Sequence, residues 1–277
     1  MKGKVKLIGM DLDGTLLTTK KELTPYTKAV LKRAAEQGIT VLPATGRPLS
    51  GLTEELLEFQ GFRYAVTANG GRVVDIRSGE TLFQDLVPVE TARKVLEILG
   101  HYDSLREIYF DGTGYAQEDA LKEIGRYLEE PPVMEYIMKT RIAVPDLWEK
   151  FEEENRELDK VQGLFASMEE RSLALEELKE VPGIEITGAL RKNIEVNGAG
   201  VNKGRALVRL GQRLGISREE IMAFGDGAND LQMLKEVGIG VAMENAKEEL
   251  KEAADYIAGT NDEDGVARFI EAYVLNE

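Results

Sequence analysis

The chain has no cysteine, a single histidine and a single tryptophan in 277 residues. Without cysteine there is no disulfide framework, and thiol catalysis and cysteine-ligated zinc are excluded. His101 would have to serve any Ser-His-Asp triad. Its setting, Leu99-Gly100-His101-Tyr102-Asp103, reads instead as a helix end, where a glycine beside polar residues stops the helix. Long apolar runs are missing as well. The hydrophobic stretches are short and broken by charge, so no transmembrane helix is expected. Lys2, Lys4 and Lys6 precede an apolar run, but that run leads straight into Asp11, and a cleavable signal there would remove the best motif of the chain; none is expected. Positive charge is scarce, with 35 Lys and Arg against 50 Asp and Glu and a net charge of −15. That balance argues against non-specific nucleic-acid or anionic-membrane partners. It also sets a condition: a phosphate site in so acidic a chain needs local cations, whether Lys, Arg or a metal. The 43% hydrophobic and 31% charged content is that of a globular chain. Its length suits one large domain or two modest ones.

What is present begins with Asp11-Leu12-Asp13-Gly14-Thr15-Leu16. Val5–Met10 forms a strand that ends in this tight turn, with two carboxylates at its carboxyl tip. Thr24 caps a helix that starts at Pro25 and runs to Gln37, and Gly38 stops it. Ile39–Ala44 is the next strand, ending at Thr45-Gly46-Arg47-Pro48. A helix over Leu49–Gln60 follows, then a third strand at Tyr64–Thr67 ending in Asn69-Gly70-Gly71. The last part repeats the rhythm. Helices are expected over Asn202–Leu214, Asp230–Glu236, Glu244–Ala254 and Gly265–Val274. Strands are expected at Glu220–Phe224, Ile239–Met243 and Tyr256–Ala258. Strands alternating with helices imply a mostly parallel sheet covered on both faces. The middle, from Leu82 to Ala189, lacks strands that end in acidic or Gly-rich turns. Acidic helices such as Trp148–Glu154 alternate there with strands at Glu107–Phe110, Lys160–Ala166 and Ile184–Ile186. The acidic helix is a solvated face, and Trp148 anchors it. The fold expected is α/β: a doubly wound parallel-sheet core over 1–82 and 190–277, with a smaller α/β domain inserted over 83–189.

In an open parallel sheet, ligands bind outside the carboxyl ends of the strands. Those ends carry Asp11 and Asp13, Thr45-Gly46-Arg47, Asn69-Gly70-Gly71 and Asp226-Gly227-Ala228-Asn229-Asp230, and Lys203-Gly204 opens a nearby helix. Each piece alone has a plain structural meaning as a turn, a cap or a surface lysine. Together they suit phosphoryl transfer. Mg²⁺ takes oxygen ligands; Asp11 and Asp226 offer carboxylates and Asp13 a carbonyl. Asp11 could attack phosphorus and form an acyl phosphate. Asp13 would give a proton to the leaving alkoxide and later take one from water. Thr45 and Lys203 would neutralise the equatorial oxygens.

These motifs resemble those of haloacid dehalogenase superfamily phosphatases. Asp11–Leu16 matches the first signature, and Thr45-Gly46-Arg47, Lys203-Gly204 and Gly225–Asp230 resemble the second, third and fourth. The insert resembles the larger α/β (C2-type) cap of the Cof-type branch. The resemblance implies that Asp11 is the nucleophile and Asp13 the general acid/base. It implies Mg²⁺ held by Asp11, Asp13 and Asp226, with Asp230 a ligand or a neighbour of the ligands. Thr45, Gly46, Lys203 and Asn229 would contact phosphate. Asn69, Arg47 and polar residues of Lys160–Ala166 would contact the rest of a small phosphorylated substrate, with the cap setting specificity. Sugar phosphates, phosphoglycolate, flavin mononucleotide and pyridoxal phosphate all fit such an enzyme. A sugar phosphomutase on the same core and a non-catalytic phosphate-binding module are the alternatives. The expected setting is cytoplasmic, as a monomer or homodimer, with no nucleic-acid or membrane partner. One departure stands out: Asn197-Gly198 falls where branch members often carry proline.

Overall fold

The computed structural model describes residues 1, 3–188 and 190–275. Lys2 of the basic N-terminal run and Ala189, the expected domain boundary, lie outside the described residues. The strands in chain order are β1 (Leu7–Met10), β2 (Thr40–Pro43), β3 (Tyr64–Thr67), β4 (Arg72–Asp75), β5 (Thr81–Gln84), β6 (Ser104–Phe110), β7 (Thr113–Gln117), β8 (Arg141–Val144), β9 (Lys160–Phe165), β10 (Ile184–Thr187), β11 (Asn193–Gly198), β12 (Ile221–Gly225), β13 (Ile239–Met243) and β14 (Tyr256–Ala258). The chain divides into two compact units. The first comprises Met1–Gly46, Thr53–Phe83 and Asn202–Glu277; the second comprises Arg47–Leu52 and Gln84–Val201.

The first unit is an α/β layer structure around a five-stranded parallel sheet in the order β14-β13-β12-β1-β2. β1, β12 and β13 are short and buried along their length, as parallel strands covered on both faces must be, whereas the edge strand β14 exposes Tyr256 and Ile257. Alternation along β12 shows the two layers. Ile221 meets Gly211 of the helix Lys203–Arg213, whereas Phe224 stacks edge-on against Phe269 of the terminal helix Gly265–Tyr273. The helix Lys203–Arg213 lies so close to β1 that a Cβ at Gly9 would overlap the Leu207 side chain. Thr24 accepts from Thr27 N–H at the start of Pro25–Glu36, the expected cap with proline in the first turn.

Two local expectations do not hold. Leu49–Gln60 is not one helix. It is a 3₁₀ turn at Leu49–Gly51 and a short helix at Glu54–Glu58, separated by Leu52 and Thr53 in extended conformation. Tyr64–Thr67 is a strand, but it joins the parallel sheet only through isolated bridges (Val41 to Phe62, Ala44 to Val66). Its ladder partner is antiparallel β4, in a three-stranded sheet β3-β4-β5. Positive φ at Ala68 (50°), Asn69 (58°) and Gly70 (104°) turns the chain back at once.

The second unit is built on a six-stranded sheet in the order β10-β11-β9-β6-β7-β8, antiparallel except for β7 with β8. One face carries Ile108, Phe110, Val161, Phe165, Ile194 and Val196, packed on Leu96, Phe151 and Leu178 of three helices. Trp148 is partly buried against this cluster, as an anchor should be. The unit extends past the expected boundary of 189, because β11 pairs with both β9 and β10 and so belongs to this sheet. Asn197-Gly198 is therefore the end of a strand rather than a turn. A Cβ on Gly198 would press on the carbonyl of Leu86 at 2.7 Å, and Asn197 Nδ2 donates to the Asp159 carbonyl at 2.9 Å. His101 caps the helix Val89–Gly100, with its imidazole exposed beside Glu177. Among the described residues no helix is long and apolar enough to cross a membrane.

Candidate active site

The carboxyl end of the parallel sheet gathers most of the expected residues. Asp11 continues the β1 ladder: its N–H donates to the Phe224 carbonyl at 3.0 Å, which fixes its backbone beside the end of β12. Gly14 then turns the chain with φ +83°. A Cβ there would overlap the Asp226 carboxylate, so the turn and the close approach both require glycine. Thr15 Oγ1 donates to Asp226 Oδ1 at 2.8 Å.

Lys203 reaches the same place from the start of its helix, where Asn202 Oδ1 accepts from Arg205 N–H. The lysine is wholly buried. Its Nζ donates to Asp11 Oδ1 at 2.6 Å and to Asp230 Oδ1 at 2.8 Å. The second oxygen of Asp230 accepts from the backbone N–H groups of Asp226 (3.1 Å) and Gly227 (3.0 Å). Asp230 thus ties the lysine to the loop that carries Asp226.

Thr45 and Asn69 stand on neighbouring loops. Thr45 N–H donates to the Val66 carbonyl, and the Thr45 carbonyl accepts from Asn69 N–H at 3.0 Å. Asn229 Nδ2 donates to Asn69 Oδ1 at 3.3 Å. Gly70 packs on the backbone at Asn202, with no room for a side chain. Gly46 ends this stretch of the first unit. Arg47 belongs to the second unit, where its guanidinium lies 4.7 Å over the Tyr136 ring and donates to the Gly51 carbonyl.

Asp13 is placed differently from Asp11. Its Oδ1 pairs with Lys21 Nζ at 2.7 Å in a partly exposed salt bridge. Asp11, Asp226 and Asp230 bring carboxylate oxygens within 4.8 Å of one another. Three carboxylates then face one ammonium. Burial pushes Asp11 up to about 8 against the pull of Lys203, with Asp230, Asp226 and Asp13 adding to the rise. Burial likewise raises Asp226 to about 6, opposed by the Thr15 hydrogen bond. Burial disfavours the Lys203 ammonium, but Asp11 and Asp230 outweigh it and hold the lysine protonated. Clustered buried carboxylates with an excess of negative charge are the donor set that a hard divalent cation completes. The residues present fit such an ion.

Sequence reasoning did not find Thr15, Lys21 or Asn245. Asn245 follows β13, a strand end whose turn, Glu244-Asn245-Ala246, has no glycine. Its Nδ2 donates to the Gly14 carbonyl at 2.8 Å, and its Oδ1 accepts from Asn261 N–H. Listing every strand end, glycine-bearing or not, would have found it.

An open parallel sheet with paired carboxylates, a buried lysine and hydroxyl and amide groups at its carboxyl edge defines a phosphoryl-transfer type of hydrolase. The haloacid dehalogenase-like hydrolase family model matches residues 8–270, and the chain belongs to that family. It is 32% identical to the 5-amino-6-(5-phospho-D-ribitylamino)uracil phosphatase YcsE of Bacillus subtilis, over 98% of this chain and 96% of that one. It is 29% identical to the pyridoxal phosphate phosphatase YbhA of Escherichia coli, over 98% and 99%. A haloacid dehalogenase-like hydrolase structure from B. subtilis superimposes with a TM-score of 0.86 at 27% identity, covering 97% of this chain and all of that one.

Proposed function

We propose that the protein is a Mg²⁺-dependent phosphoric monoester hydrolase that acts on a small organic phosphate through an aspartyl-phosphate on Asp11. The observation that carries this reading is the buried Lys203 ammonium shared by Asp11 and Asp230 beside Asp226, at the carboxyl end of a parallel sheet. Relatives that hydrolyse ribitylaminouracil phosphate and pyridoxal phosphate support it.

Asp11, Asp226 and the carbonyl of Asp13 would hold the cation. When bound, it neutralises the carboxylate excess and screens a phosphate dianion from Asp11. Asp230 is better suited to orienting Lys203 than to ligation, since both its oxygens already have donors. Ionised Asp11 attacks phosphorus in line. The Lys203 ammonium, Thr45 and the Asn229 amide stabilise the equatorial oxygens; Gly46 adds no side-chain bulk beside Thr45. Asp13, once it has left Lys21 and taken up a proton from solvent, gives that proton to the leaving oxygen. It then takes a proton from the water that cleaves the acyl phosphate. The second unit, with Arg47, serves as the specificity cap, and Asn69 borders the ester. A cytoplasmic location belongs to the same reading.

The test is phosphate release from p-nitrophenyl phosphate and a panel of sugar, nucleotide and cofactor phosphates, with Mg²⁺ and with excess chelator. Full turnover in chelator, or in a folded Asp11→Asn variant, would overturn the reading.

A further inference from the structure

Asp11 and Asp13 are fixed by different means. Asp11 extends the sheet: the ladder of β1 with β12 runs to Met10 beside Phe224, and the Asp11 N–H adds one more bond, to the Phe224 carbonyl. Asp13 lies past the ladder, in the turn that ends at Leu17. Two bonds close that turn on itself. Leu16 N–H donates to the Asp11 carbonyl at 3.1 Å, and Leu17 N–H donates to the Leu12 carbonyl at 2.9 Å. An isolated bridge sets Asp13 beside Leu17. A turn closed in this way still has outward carbonyls that need donors.

Two of those donors are asparagine side chains. Asn245 Nδ2 donates to the Gly14 carbonyl at 2.8 Å, and Asn261 Nδ2 donates to the Leu17 carbonyl at 2.9 Å. The first acceptor belongs to the residue after Asp13, and the second to the residue bridged to it. The asparagines are also tied to each other, since Asn245 Oδ1 accepts from Asn261 N–H at 3.1 Å. Asn245 thus uses both ends of its amide. The carbonyl needs the NH₂ end and the N–H needs the oxygen, so the bonds themselves set its orientation.

Asn261 is buried and stands on a closed loop. Gly265 N–H donates to the Thr260 carbonyl at 2.9 Å, and a Cβ on Gly265 would overlap the Gly259 carbonyl. The same loop holds the chain beyond the turn. Asp262 accepts from Thr19 N–H at 2.7 Å and from Thr19 Oγ1 at 2.8 Å, and Asp264 accepts from Thr27 Oγ1 at 2.8 Å. Those bonds grip Thr19 and Thr27, whereas the asparagine pair grips the turn that carries Asp13. All of these residues belong to the first unit.

We propose that Asn245 and Asn261 are positioning residues for proton transfer by Asp13. They fix the backbone on both sides of the acid, so that its carboxyl meets the leaving oxygen while Asp11, held by the sheet, attacks. The proposal rests on the phosphatase reading above and adds two residues to it. Loosening the turn should harm the proton transfer and spare the nucleophile. Help from an acid matters more as the leaving oxygen becomes more basic. Phenolate is more basic than p-nitrophenolate, and the two phenyl esters are otherwise alike.

The experiment measures kcat/KM for phenyl phosphate and p-nitrophenyl phosphate at saturating Mg²⁺, with folding followed by circular dichroism. This constant covers the steps through transfer to Asp11, so the later use of Asp13 as a base does not enter it. Asn245→Ala alters an exposed side chain with little packing and should fold. Its ratio of kcat/KM, phenyl over p-nitrophenyl phosphate, is expected to fall about fivefold, within the range of one hydrogen bond. Asn261→Ala keeps the N–H that Asn245 holds, loses the bond to Leu17, and is expected to do the same. Asp262→Ala loses only its bonds to Thr19 and is expected to keep the parent ratio. An unchanged ratio in Asn245→Ala, with both esters slowed together or neither, is what a purely structural asparagine would give, and it overturns the proposal. An equal fall in Asp262→Ala overturns it as well, because the loop as a whole would then set Asp13. In both cases hydrolysis of p-nitrophenyl phosphate by the parent still upholds the phosphatase reading. Absence of that hydrolysis takes both down.

Discussion

Each unit buries a charged cluster, and the two clusters are balanced differently. In the first unit Asp11, Asp226 and Asp230 share one ammonium, Lys203, so negative charge is in excess. In the second, Lys160 faces Glu195 and Arg141 faces Glu107, so the charges cancel. A buried excess is unstable by itself and calls for a counter-ion, whereas a balanced cluster supplies its own. The comparison teaches that a site for chemistry and a set of paired buried charges place different demands on polarity: the first keeps a field in excess, and the second cancels it.

The largest expected effect breaks the first cluster at its nucleophile. Asp11→Asn keeps the shape and removes one of the crowded carboxylates, so the fold should persist by circular dichroism. Turnover should fall on the order of 10⁴-fold or more in a steady-state assay. Lys203→Met is the converse. It leaves Asp11 and Asp230 without their shared cation and should cost about 3–5 kcal/mol in chemical denaturation, besides abolishing activity. If Lys203→Met were as stable as the parent, the ammonium would not be what holds the cluster together.

Adding a divalent cation sharpens the contrast. Mg²⁺ at about a hundred times its dissociation constant should stabilise the protein by about 2.7 kcal/mol, seen as a rise of several degrees in thermal unfolding. The pH dependence gives the sign. Asp11 and Asp226 have folded-state pKa values near 8 and 6, above the ordinary 3.8. Between those limits the metal-free folded state binds more protons than the unfolded chain. The contribution of these two groups to metal-free stability is therefore fully present below the ordinary value and is lost as pH rises, through about 6 for Asp226 and about 8 for Asp11. Bound Mg²⁺ should flatten that fall. A metal-free protein whose stability rises over the same range would show that these carboxylates ionise freely in the fold.

The first cluster was far more legible in the sequence than the second. Asp11, Asp13 and Asp226 sit at the ends of apolar runs with glycine beside them, and period, turn chemistry and charge all mark such places. The parallel strands around them are short and bounded by glycine, so β13 and β14 fall where expected. Glu107, Lys160 and Glu195 gave no such signal. Each is one polar residue in an alternating strand, and alternation normally means that the polar face is wet. Only the sheet shows that this face is buried. The strands β7, β8 and β11 were missed for a related reason: Gly114, Arg141 and Asn193 interrupt patterns that tertiary pairing rescues. Leu49–Gln60 carried a helical pattern, but Gly51 and the extended Leu52 and Thr53 break it.

The smallest expected effect lies at the edge of the first cluster, where Lys21 meets Asp13. Both side chains are roughly two-fifths exposed, so water screens the pair and its worth is about 0.2–1 kcal/mol. Lys21→Met should therefore leave stability within that margin. It should still matter kinetically, because Asp13 has to leave Lys21 before it can face a leaving group. Removing the competitor should raise kcat/KM for a poor leaving group, such as an alkyl alcohol, by at most about fivefold, the equivalent of that energy. A good leaving group, p-nitrophenolate, needs little help from an acid and should show almost no gain. Equal gains for both would mean that Lys21 acts through the loop rather than through the Asp13 carboxylate. A loss for the alkyl ester would mean that the pair holds Asp13 ready rather than away.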